Sequence, residues 1–147
     1  MPWFEIYNKG SSCALMSNFS VKSLSISTSD NLNNLSEART FSLPSVELKS
    51  GGYMIIRGKY TTSNTITSSA SFAEISDDSS YSPAWGYNGG FIEILKDGKT
   101  IDFISFGTDT TSPTSSDGWT GSAAPKPVFW STYSKSIARD NTSSDTN

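Results

Sequence analysis

Histidine is absent from this sequence, and cysteine occurs once, at Cys13. Without an imidazole there is no Ser-His-Asp or Cys-His triad and no HExxH zinc site, because each uses histidine as proton carrier or ligand. A single cysteine closes no disulfide within the chain and offers no zinc or iron–sulfur ligand set. Beside Ala14 and Leu15 it reads as a small buried residue rather than a reactive thiol. Basic residues are few: 11 Lys and Arg stand against 14 Asp and Glu, a net charge of 11 − 14 = −3, scattered from Lys9 to Arg139. Tracking phosphates needs a basic stripe, so no nucleic-acid partner is expected. Apolar runs such as Tyr53 to Ile56 stop far short of the roughly 20 residues of a spanning helix, so no membrane span is expected either. No basic and apolar leader precedes Trp3, so the chain is expected either to lack a signal peptide or to begin downstream of one.

Serine and threonine are abundant: 45 of the 147 residues. Against that, 35% apolar and 12% aromatic residues suffice to build the core of one compact domain, which is expected to span residues 1–147. Many Ser, Thr and Asn with little Lys is a composition common in extracytoplasmic bacterial domains, so an extracellular or cell-surface location is expected. Asn18-Phe19-Ser20, Asn34-Leu35-Ser36 and Asn141-Thr142-Ser143 fit the glycosylation sequon, which this Ser/Thr content produces by coincidence.

Along the chain the dominant signal is strand. Trp3-Phe4-Glu5-Ile6-Tyr7 is aromatic and β-branched and is stopped by Asn8-Lys9-Gly10. Phe19-Ser20-Val21 and then Leu24-Ser25-Ile26-Ser27 follow, the latter alternating with period two as a half-buried strand does. Asp30 to Glu37 allows one helical turn or a loop. Arg39 to Leu43 alternates again and ends at Pro44. Leu48 leads through Lys49-Ser50-Gly51-Gly52 into Tyr53-Met54-Ile55-Ile56-Arg57, a glycine turn feeding a strand that reads as buried on both faces. A Ser/Thr-rich stretch around 61–87 reads as a surface loop insertion. Phe91 to Leu95, Asp97-Gly98, and Thr100 to Phe106 form a β-hairpin, since Asp-Gly suits the positive φ angles of a type I′ turn. Val128 to Trp130 and Ser134 to Arg139 supply a last strand or two before a polar tail at 140–147. Some seven to nine short strands without a long helix is the pattern of an all-β antiparallel sandwich.

Five segments, in order, resemble the lamin tail domain. Phe4-Glu5-Ile6-Tyr7-Asn8 is similar to that family's opening "F-I-E-L-Y-N" strand, and Leu15 to Val21 to its "L-S-G-W-x-L" segment. Leu48 to Tyr53 resembles its "L-x-P-G-G-Y" turn, and Gly90-Phe91-Ile92-Glu93-Ile94-Leu95 through Asp102 to Gly107 its hairpin ending in "V-D-S-V-x-Y-G". Ser136-Ile137-Ala138-Arg139 is similar to its closing "S-L-E-R". Asn18-Phe19 stands where the family has Gly-Trp. The strand that ordinarily precedes the opening motif has no counterpart, so an open sheet edge is expected there. The resemblance implies an immunoglobulin-like β-sandwich without catalytic residues or cofactor, in bacteria usually a module of a larger secreted or surface protein. No heptads support a filament role.

Paired carboxylates are the only catalytic material, which makes Glu93, Asp102, Asp109, Asp117 and Asp77-Asp78 the acid and base candidates of a carboxylate-dependent hydrolase. For calcium the chain lacks D-x-[DN]-x-[DN]-G, and no metal site is expected. G-x-S-x-G, S-x-x-K and G-x-G-x-x-G are all missing. Trp85, Trp119 and Trp130, with Tyr81, Tyr87 and Tyr133, either pack in the core or stack on a sugar or a protein partner. Trp85, Trp119 and Tyr81 are the candidate contacts, at least one tryptophan being expected in the core. Arg57 and Arg139 read as solvated charges or as partners of Glu93 or Asp102. The reading is a noncatalytic interaction module meeting a protein, cell-surface or glycan partner; the alternatives are a carbohydrate-binding module and the hydrolase.

Overall fold

The computed structural model describes residues 3–26, 38–58, 68–69, 72–75 and 89–115. Ten strands occur there: β1 (Trp3–Tyr7), β2 (Ala14–Leu15), β3 (Phe19–Ile26), β4 (Arg39–Ser42), β5 (Glu47–Leu48), β6 (Tyr53–Gly58), β7 (Ser68–Ser69), β8 (Phe72–Ile75), β9 (Gly89–Lys96) and β10 (Lys99–Gly107). One 3-10 turn, Met16–Asn18, leads into β3. The chain is an all-β sandwich. Its first sheet has the order β1-β6-β8-β7, its second β10-β9-β3-β4, and β2 and β5 make a short ribbon. All pairs are antiparallel except β6 with β8, which run parallel.

Alternation sets the layers, because successive side chains of a strand leave on opposite faces. In the first sheet Met54, Ile56 and Ala73 point inward with Phe4 and Ile6; in the second, Val21, Ile92 and Phe106 do. Met16, Leu43 and Leu48 complete this core. The hairpin is the one expected: β9 and β10 are joined by Asp97 and Gly98 with φ of 52° and 74°, the double positive φ of a type I′ turn. Between Thr100 and Asp102 the register shifts by a bulge, which turns Ile101 to solvent.

Four expectations change. Cys13 is exposed, not buried, because it lies on the surface run Lys9 to Cys13 that bridges β1 and β2. β6 is buried on one face only: Met54 and Ile56 lie inside while Tyr53 and Ile55 face out, since β6 belongs to an outer sheet with solvent on its far side. The two segments expected around Phe19 and Leu24 form one continuous strand, β3. The stretch expected as a loop insertion at 61–87 contains β7 and β8, and Ala73 of β8 is fully buried in the core. Its apolar residues are few, yet a parallel strand beside β6 needs only one small inward side chain there. The helical turn at Asp30 to Glu37, the strands after Val128 and the tail 140–147 lie outside the described residues.

Candidate functional site

Two arrangements concentrate chemistry: a buried carboxylate on the outer face of the second sheet, and an exposed aromatic face on the first. Glu93 sits at the centre of β9, opposite Lys22 of β3 and Phe103 of β10. It is 1% exposed, on the side away from the main core. That side is itself covered. Phe91 and Phe103 stack there at 5.4 Å, and the chain leaving β10 folds back across it through Thr114 and Ser115.

The covering strap is held by Glu93. Its Oε1 accepts from Thr100 Oγ1 at 2.6 Å and from the Thr114 amide at 2.6 Å, and its Oε2 accepts from Thr114 Oγ1 at 2.8 Å. Lys22 Nζ lies 3.7 Å from Oε2 and donates to Thr114 Oγ1 at 2.8 Å. A reciprocal pair closes the strap: the Thr100 amide donates to Ser115 Oγ at 2.9 Å, and the Ser115 amide to Thr100 Oγ1 at 2.8 Å. A carboxylate has about four acceptor positions. Three are filled and the ammonium stands near the fourth, so this group holds the strap.

Of the other acid candidates, Asp102 and Asp109 are among the described residues. Asp102 is half-buried and accepts from the Phe103 amide at 2.9 Å. Asp109 is buried; its Oδ1 accepts from Thr111 Oγ1 at 2.8 Å, and its Oδ2 has no hydrogen-bond partner. Among the described residues no group of three or more metal-ligating side chains occurs. Arg57 lies with its guanidinium carbon 5.1 Å from the centre of the Phe72 ring, and Lys22 is a cation that stands beside Glu93. Asp77, Asp78, Asp117 and Arg139 lie outside the described residues, as do Trp85, Trp119, Trp130, Tyr81, Tyr87 and Tyr133.

The aromatic face is made by β1 and β6. Trp3, Glu5 and Tyr7 leave β1 on its outward side, directly opposite Arg57, Ile55 and Tyr53 of β6. Trp3 is 54% exposed, Tyr53 51%, Tyr7 41% and Ile55 38%. Tyr7 and Tyr53 form a stacked cross-strand pair, ring centres 4.7 Å apart.

Asn8 positions this pair. Its side-chain amide donates to the carbonyls of Ser12 at 2.9 Å and Leu48 at 3.0 Å, and its Oδ1 accepts from the Gly10 amide at 3.0 Å. Its backbone exchanges hydrogen bonds with Gly51 and Gly52. The Lys49–Gly52 turn is closed by Gly52 N to Lys49 O, with Gly51 at φ +70°, as a type II turn requires at its third residue. Sequence reasoning read the glycine turn and the aromatic strand separately. The signal that links them is two aromatics, Tyr7 and Tyr53, each flanking a turn. Two further missed residues, Thr114 and Ser115, lie in a Ser/Thr run that gives no periodic cue.

No protein-family model matches this chain, and no curated protein matches it in sequence.

Proposed function

We propose that the chain is a noncatalytic β-sandwich interaction module, immunoglobulin-like and related to the lamin tail domain, within a larger secreted or cell-surface bacterial protein. The observation that carries this reading is the outward face of β1 and β6, where three aromatic rings and Ile55 stand in solvent on a rigid sheet. Contiguous apolar surface of this kind marks an interaction site more often than an accident of folding. The engagement of Glu93 by the strap supports the noncatalytic part. The resemblance to the lamin tail domain is supported by where its motifs fall: the opening motif is β1, the glycine turn feeds β6, and the hairpin is β9 with β10. No helix among the described residues is long and apolar enough to cross a membrane.

The test is a panel of glycosidase, esterase and phosphatase substrates, on which no turnover is expected. A rate that travels with the purified protein and is lost in folded Asp102→Asn would overturn the module reading. The carbohydrate-binding alternative has an observation of its own, the spacing of the exposed rings on β1 and β6.

A further inference from the structure

We propose that the outward face of β1 and β6 is a platform for a neutral polysaccharide, an inference that rests on the interaction-module reading and names its partner. Trp3 and Tyr7 are four residues apart on one face of an extended strand, which places them about 13 Å apart along β1. Tyr53 stands beside Tyr7, Ile55 beside Glu5, and Arg57 beside Trp3. Aromatic surface thus marks both ends of a flat strip, with a carboxylate and a guanidinium between and beside the rings. The guanidinium is already held over Phe72.

Area argues against a second copy as occupant. An aromatic side chain buries roughly 150–250 Å², so the half-exposed Trp3, Tyr7 and Tyr53 offer roughly 300 Å². Two copies with Ile55 added reach about 700 Å², below the roughly 1,200 Å² at which stable interfaces begin. Charge argues against ionic partners. The outward side chains of β1 and β6 carry one acid, Glu5, and one base, Arg57, and so no net charge. The chain as a whole is acidic, with a pI near 4.8, which disfavours polyanions.

What suits a strip of rings without net charge, flanked by hydrogen-bonding groups, is a ligand with apolar faces and hydroxyl edges. Sugar rings have both. Their C–H faces stack on Trp3 and the Tyr7–Tyr53 pair, while hydroxyls meet the Glu5 carboxylate, the Arg57 guanidinium and the tyrosine hydroxyls. Strands hold these groups in place before binding, so little ordering entropy opposes the contact.

The experiment is affinity electrophoresis and pull-down with neutral polysaccharides of different linkage: cellulose, chitin, xylan and mannan. At least one is expected to retain the protein. Trp3→Ala and Tyr53→Ala should each weaken retention about tenfold, the factor that corresponds to 1.4 kcal/mol. Ile101→Ser, on the exposed bulge of β10, should leave retention unchanged, and thermal melting checks that every variant folds. No retention by any of the four, or equal retention by the Trp3→Ala/Tyr53→Ala double variant, overturns the platform. If instead the protein self-associates in sedimentation and the same two variants abolish it, the face docks protein; the polysaccharide proposal fails while the module reading stands. Cleavage of the bound polysaccharide would overturn the module reading itself.

Discussion

Ser23 carries its hydroxyl into the apolar core beside Ile92 without a hydrogen-bond partner, and it is fully buried. An unpartnered buried hydroxyl costs about 1–3 kcal/mol relative to its solvated state. Ser23→Ala should therefore raise stability by about 1 kcal/mol, read as a higher urea midpoint at unchanged slope. A lower midpoint would mean the hydroxyl is bonded. Glu93 is the opposite case, a buried charge whose acceptors are filled. From the sequence Glu93 read as an acid or base candidate, or as a partner of Arg57 or Arg139; Lys22 is a cation that stands beside it. Thr114 was not legible, because 21 residues separate it from Glu93 and no local pattern reports a contact of that separation. Cys13 failed for a related reason: apolar neighbours in sequence say little where the chain is turning.

At the level of elements, the β9–β10 hairpin was readable because its turn chemistry is local. Gly98 at φ +74° lies where a β-branched side chain is strongly disfavoured, so Gly98→Val should cost about 1–3 kcal/mol in a urea titration. A variant as stable as the parent would place the turn elsewhere. β6 was read as doubly buried because Tyr53-Met54-Ile55-Ile56 is uninterrupted apolar sequence; only the sheet's position shows that half of it faces water. β8 was missed altogether. Phe72-Ala73-Glu74-Ile75 is short and flanked by serines, and its parallel pairing with β6 is a contact no hairpin signal announces. Replacing residues 68–75 with a Gly-Ser linker should lower stability by about 2–3 kcal/mol, as loss of the buried Ala73 and of Phe72 packing predicts. The measurement is thermal melting, and a transition unchanged in midpoint would mean that β8 is dispensable to the core.

For the molecule as a whole, alternation of apolar and polar residues was enough to place the chain in the all-β class, since each strand carries its own inside and outside. The third layer over the second sheet was not legible, because Ser-Pro-Thr-Ser has no apolar face to read. That layer rests on Thr114. Thr114→Val removes the donor to Glu93 Oε2 and the acceptor of Lys22 Nζ, leaving both charges less satisfied. It should cost about 2 kcal/mol. Amide hydrogen exchange is expected to quicken at Phe91 and Phe103 beneath the strap while β1 and β6, on the far side of the core, keep their protection. Uniform quickening across both sheets would show that strap and sandwich open together.

The central pairing of the second sheet has a cost in time. β3 is bonded on one side to β4, close behind it, and on the other to β9, whose Ile94 meets Val21. The clamp between Lys22 and Thr114 joins residues 92 apart. Loops of that length must close before these contacts begin to stabilise the chain, which slows folding more than it weakens the final state. The hairpin of β9 and β10 can form on the microsecond scale by itself. It must then wait for β3, so folding of the full sheet belongs to the millisecond-to-second range typical of non-local β structures. During that interval β9 presents a Gly-Phe-Ile-Glu-Ile-Leu edge to whatever it meets. A charge at its centre, Glu93, keeps that edge from pairing readily with another copy, so the residue that later anchors the strap also protects the chain while it is still unfinished.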